Sequence, residues 1–228
     1  MSNRITNAYI ELVFSYIDDQ ISDLRNYISF FEGTLLKTRK NLIKSADNAS
    51  LKLPKGDQWK AFNNIGEHLF YIDDLFPQVH RSSLFLTIYA FFEFELDFLC
   101  GALGNYYKLN LKPSDLRGKG IERSKDYFLK VINIPFPSNV KEWVQICKLN
   151  LIRNLVAHSR GILLIDKQKD KEILKCIQNY EYINLHALVD DRFFLRFDKK
   201  FCSSTVETIE SFFHILKTTI DKELQKSS

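Results

Sequence analysis

Along the first forty positions the apolar residues Ile10, Phe14, Ile17, Ile21, Leu24, Ile28, Phe31 and Leu35 alternate steps of four and three. That spacing is the seam of a long helix packed lengthwise on another, with Gly33 as its weak point. The segment "SADNASLKLPKGDQ" carries loop signals, and a second helix is predicted from about Trp59 to Phe76, with Pro77 opening the next element. A third helix is predicted over about Gln78 to Lys108. Its stretch "SLFLTIYAFFEFELDFLCGAL" is apolar enough to suggest a membrane span, but Glu93, Glu95 and Asp97 fall in its middle. Each of those charges would cost about 2.5–3.5 kcal/mol at the centre of a bilayer, so a buried core helix is expected instead.

A short helix from about Glu122 to Ile132 is ended by "NIPFPSN", whose two prolines forbid continuation and whose Ser138 offers an N-cap for the helix that follows. Beyond that helix "GILLID" reads as extended or short, and "DKEILKCIQNY" as a modest helix. "YINLHALVDDRFFLRFD" alternates around Asp190 and Asp191, which read as the turn of a β-hairpin. Ser203 or Ser204 is expected to cap a terminal helix with the seam Val206, Ile209, Phe213, Leu216 and Ile220. The fold class is therefore all-α: a helical bundle with a long N-terminal helical hairpin and one small β-hairpin before the last helix.

Composition narrows the classes without naming a function. A chain of 228 residues that is 45% hydrophobic and 26% charged has room for one ample core or two small ones, and disorder is not expected. The opening "MSNRITNAYIELVFSYIDDQ" places carboxylates where a secretory leader would be apolar, so a cytoplasmic location is expected. Cys100, Cys147, Cys176 and Cys202 form no close pair and are expected as small apolar residues. His68, His80, His186 and His214 stand apart without metal-ligand spacing, and no cofactor or metal is implied. The net charge of +4 is modest. From Lys108 to Lys130, however, seven basic residues face three acidic ones, an excess equal to that of the whole chain. Such a segment can track a nucleic-acid backbone, but by itself it reads more readily as a solvated loop and helix face.

The stretch "LIRNLVAHSRG", Leu151 to Gly161, places an arginine, an asparagine and a histidine in a helical run. Asn154 and His158 are four apart and lie almost in line, with Arg153 about 100° to one side. The line continues through Leu151, Cys147, Val144 and Val140, so both polar residues are expected to point toward something packed. Leu149, Ile152 and Val156 form a second apolar line, which suggests one side on the bundle core and the other on a partner subunit. Gly161 suits the left-handed residue that ends a helix. By spacing alone the trio is open to either a helix cap with satisfied polar groups or a phosphate-handling site.

With "VKEWVQICKLNLI" before it, "RNLVAHSRG" resembles the signature of the HEPN superfamily: an arginine, four to six residues, then a histidine, commonly with asparagine directly after the arginine. "YAFFEFELDFL" is similar to the family's first core helix with its central glutamate, and "DLRGKGIERSKDYFL" to its connecting segment. The likeness covers roughly residues 82–161. It implies a single HEPN-like domain over 1–228, with 1–77 as a helical extension and 78–228 as the HEPN core. It also implies a metal-independent endoribonuclease acting as a homodimer, with the active site at the subunit interface. His158 would serve as base or acid, Arg153 would grip the phosphate, Asn154 would orient the phosphate or the imidazole, and Glu93 would orient Arg153. Arg117, Lys119, Arg123 and Arg160 would contact the RNA. Products would be a 2′,3′-cyclic phosphate and a 5′-hydroxyl, with single-stranded RNA as substrate. A toxin or phage-defence setting, with an antitoxin or immunity protein as partner, follows by analogy. Glu95, two positions from Glu93, is the rival partner for Arg153. Two alternatives stand beside the nuclease: a non-catalytic HEPN module that binds RNA or a protein, and a structural dimer cross-braced by the polar trio.

Overall fold

A computed structural model describes residues 2–164, 168–178, 180–188 and 191–226, with side chains left out for 2–7 and for 168–169. Helix takes 76% of the chain and strand 7%, in keeping with the mostly helical expectation. The helices are α1 (Ser2–Ser50), α2 (Trp59–Asn63), α3 (Gly66–Phe70), α4 (Phe76–Tyr106), α5 (Gly120–Tyr127), α6 (Lys141–Ser159), α7 (Gln168–Ile177) and α8 (Phe201–Lys226). The strands are β1 (Ile162–Leu164), β2 (Ile183–Ala187) and β3 (Arg192–Phe197). No helix among the described residues is long and apolar enough to cross a membrane. Two compact units emerge: one of residues 1–24, 86–160 and 204–228, the other of residues 25–85 and 161–203.

The first unit is built around aromatic and aliphatic side chains that the seams anticipate. Ile10, Phe14, Ile17 and Ile21 of α1 are buried, as are all five seam residues of α8, Val206 through Ile220. Phe92 of α4 meets Phe213 of α8 edge-on, with ring centroids 5.5 Å apart. Trp143 of α6 packs on Phe136 at 4.7 Å and on Phe212 at 5.2 Å. Offset and edge-to-face pairs of this kind each add about 0.5–1.5 kcal/mol beyond the area they bury. The α5 segment continues through a wide π turn, Phe128–Ile132, and stops where Asn133 adopts φ 60°. Ser138 does not cap α6. Its amide bonds back to the Phe136 carbonyl at 2.7 Å in a turn, and Val140 occupies the cap position with no side-chain bond.

Glu95 brings a carboxyl group into this core. It is 2% exposed, and its Oε2 has no hydrogen-bond partner among the described residues. Burial pushes its carboxyl pKa up from 4.5, because the charged form loses its water without gaining a cation. Between the unfolded and folded pKa values the folded state holds the extra proton, so stability falls as pH rises above about 4.5. Glu95→Gln removes that proton linkage. Its melting temperature is expected to exceed the parent's at pH 7 and to converge with it toward pH 4, as a melting series across pH would show. A gap independent of pH would refute the assignment.

In the second unit the wide turn Tyr71–Leu75 carries the chain from α3 directly into α4, so Pro77 lies inside a continuous helical run. Proline lacks an amide and crowds the carbonyl four residues earlier, and a turn with one extra residue relieves that conflict. The predicted return helix, Trp59 to Phe76, is thus replaced by α2, α3 and this turn. Gly33 does not interrupt α1, which runs to Ser50 with Ala46 buried, and the predicted loop begins six residues later than its sequence suggests. The hairpin is present as β2 and β3, with Leu185 opposite Leu195, and β1 adds a third strand on the other edge of β3. Asp191 makes part of the connection with φ 53°. Asp190, and Ile165 and Asp166 of "GILLID", lie outside the described residues. Neither Ser203 nor Ser204 caps α8, which starts at Phe201, and Asp198 accepts the Lys200 amide at 2.9 Å ahead of it. Gln78 exchanges two hydrogen bonds with the Phe197 backbone, and Arg81 donates to the same carbonyl while forking onto Glu32 at 2.7 and 2.8 Å.

Candidate active site

The apolar positions of α6 decide which way its polar residues face. Ile146, Leu149 and Ile152 are fully buried and Val156 is nearly so, so the second apolar line is the core side. The other stripe is not packed as expected. Val144 is 46% exposed, Cys147, Leu151 and Asn154 are half-buried, and His158 is exposed. Within one chain this stripe lies open, and Val144, Cys147 and Leu151 line a groove of about 530 Å³ with Ile121 and Trp143.

Beside it runs a second groove, of about 550 Å³, lined by α4, the start of α5 and α6. Here the polar residues of the sequence motif come together. Glu93 of α4 bonds Nη2 of Arg153 through Oε2, and Arg153 Nη1 donates to Asn154 Oδ1 at 2.8 Å. The guanidinium also lies over the Tyr89 ring, 5.2 Å from its centroid. A planar cation held on two sides and backed by an aromatic face has few rotamers left, so it meets an anion with little reorganisation. Glu93, not Glu95, is the carboxylate that meets Arg153. The two lie about 200° apart around α4, and only one can face α6. Burial pushes the Tyr89 phenol up, with the Glu93 carboxylate adding to it, so it is present as a neutral ring.

Three further residues in or behind this groove carry no site signal in the sequence. Tyr89 reads there as one more aromatic of a core helix. Asp97 binds Arg123 Nη2 at 3.0 Å, and Gly120 brings the backbone against Glu93. A Cβ at Gly120 would come within 2.6 Å of Glu93 Oε1, and its φ of 58° is itself costly for a side chain. Gly118 shares the second restriction only: its φ is 109°, and its nearest neighbour would be Arg123 Cβ at 3.8 Å. Gly120→Ala is therefore expected to push Glu93 off Arg153. Gly118→Ala should lose about 1–2 kcal/mol in denaturant melts from backbone strain alone, and Gly120→Ala should lose more, because it also displaces Glu93. Equal losses by the two variants would count against the contact between Glu93 and the Gly120 backbone.

The remaining candidates are spread out. Lys119 and Arg123 line the same groove as Arg153. Arg117 is exposed on the preceding loop, and Arg160 is exposed at the end of α6. His158 lies one turn, about 6 Å along the axis, beyond Asn154 and does not line the groove. The helix ends through two left-handed residues, Arg160 at φ 52° and Gly161 at φ 75°, so the stop is not made by glycine alone. At Gly161 a Cβ would meet Leu195 Cβ at an ordinary contact distance of 3.4 Å, so it is the left-handed φ that favours glycine there. No family model, curated protein or solved structure matches this chain.

Proposed function

We propose that this chain is a metal-independent endoribonuclease of the HEPN type that cleaves single-stranded RNA, leaving 2′,3′-cyclic phosphate and 5′-hydroxyl ends. The observation that carries the reading is the Glu93–Arg153–Asn154 chain of hydrogen bonds on an open groove, with an exposed His158 one helical turn away. Arg153 keeps N–H donors beyond those used on Glu93 and Asn154, and these suit phosphate oxygens. An imidazole changes protonation near neutrality and suits the proton of a 2′-hydroxyl. In the reaction the 2′-oxygen attacks phosphorus, the 5′-oxygen leaves, one base takes the first proton and one acid supplies the second. A chain with one such histidine provides both roles when two copies pair about a twofold axis. The open stripe of Val144, Cys147 and Leu151, on the same helix as His158, supports that homodimer. A cytoplasmic toxin or defence effector restrained by an antitoxin or immunity protein is the setting that fits such an activity.

A second reading is favoured by one observation: His158 does not line the groove that holds Arg153. A non-catalytic module would use the groove to bind RNA or a protein and release no product. Purified protein incubated with labelled RNA in EDTA separates the two. The nuclease yields fragments whose 5′ ends accept phosphate from a kinase without prior phosphatase treatment. Fragments with 5′-phosphate ends, or none at all, refute it.

A further inference from the structure

Two phenylalanines on α4 have no place in the chemistry proposed above. Phe94 is 63% exposed and Phe98 43% exposed, although both belong to the most apolar helix of the chain. Their rings are nearly parallel, 8° apart in plane, with centroids 6.3 Å apart. This is the loose end of the range for aromatic pairs, so the pair keeps open faces. Leaving two large rings in water forgoes the burial that Phe92, two positions earlier, obtains in full.

Their position gives the exposure a use. Phe94 forms part of the wall of the Arg153 groove, together with Lys119 and Arg123. Glu93 and Asp97 in that groove are matched to Arg153 and Arg123, whereas no carboxylate among the described residues pairs with Lys119. The groove therefore combines an aromatic face, one uncommitted ammonium and a guanidinium with donors to spare. Aromatic faces interleaved with cations are the arrangement that holds single-stranded nucleic acid, rings under bases and cations along phosphates.

We infer that the Phe94–Phe98 pair is a stacking platform for a nucleobase next to the scissile phosphate, with Lys119 on the adjoining backbone. This rests on the ribonuclease reading and adds what it lacks, a reason for single-strand preference. A base must leave its helix to lie on the ring, so paired RNA is refused without any contact to its sequence. Stacking is tolerant of base identity, and discrimination among the four bases is expected to be weak.

The test uses full-length His158→Ala protein, so that RNA stays intact, and a labelled single strand of about ten nucleotides, within the range such grooves cover. A second strand has the same backbone with abasic positions. Adding Phe94→Ala is expected to weaken binding of the base-bearing strand about 10-fold and to leave the abasic strand unchanged. Phe94→Trp should restore affinity, with its added fluorescence quenched on binding. Equal loss on both strands, or no loss, overturns the platform. So does a shift of the Phe94→Ala protein from dimer to monomer in light scattering, which would make the pair a self-association surface. Cleavage by the parent protein in EDTA keeps the two ideas apart. Cleavage with base-independent binding removes only the platform, base-dependent binding without cleavage removes only the nuclease, and a result with neither cleavage nor binding removes both.

Discussion

Replacing His158 by alanine is expected to reduce RNA cleavage by about 10²–10⁴-fold, the usual worth of a positioned acid or base. The melting temperature should barely move. The side chain is exposed at the last turn of α6, where a substitution changes stability by about 0.5 kcal/mol or less. A structural histidine would give the opposite pattern, a lower melting temperature with proportionate loss of activity. The measurement is a rate with labelled RNA beside a thermal melt of the same preparation. Retained cleavage in the alanine variant would remove His158 from the reaction.

Arg153→Ala should be costly in both respects. It removes the proposed phosphate donor, worth about 10²–10³ in rate for a preorganised group of this kind. It also strands Glu93, whose other oxygen already faces the backbone at Gly120. Breaking a fully buried pair costs about 3–5 kcal/mol. With the arginine and glutamate side chains still 27% and 21% exposed, about 1–3 kcal/mol is expected. Arg153→Lys separates the two effects, because an ammonium can neutralise Glu93 but cannot reach Asn154 and a phosphate in one plane. It should recover most of the stability and little of the rate. Full recovery of rate by lysine would show that charge alone matters at this position.

Much of this arrangement can be read from residue spacing. The seams of α1 and α8 are buried nearly as their steps of three and four require, and the position of α6 follows from the prolines before it. Faces were harder to read than elements. In α4 apolar residues occur all round, so periodicity cannot tell that Phe92 is buried and Phe94 exposed, or that Glu93 and not Glu95 turns toward Arg153. On α6 two apolar lines compete, and only the packed structure distinguishes the core line, Leu149, Ile152 and Val156, from the open one at Val144. Strand β1, three residues long, is too short to alternate, and its existence depends on Phe193 and its neighbours in β3. The wide turns leave no mark in composition. Gly120 looks like an ordinary loop glycine until Glu93 is seen against it.

The wide turn before Pro77 has a bearing on how this region tolerates change in length. An ordinary helix shifts its whole downstream face by about 100° when one residue is added or lost, and so rejects such events. At Tyr71–Leu75 the surplus residue is already accommodated, and losing one there would tighten the coil to its normal pitch. The proline ring would then press on the preceding turn's oxygen. Indels in this segment are thus held in check by a single pyrrolidine, and a chain without Pro77 would be free to shorten.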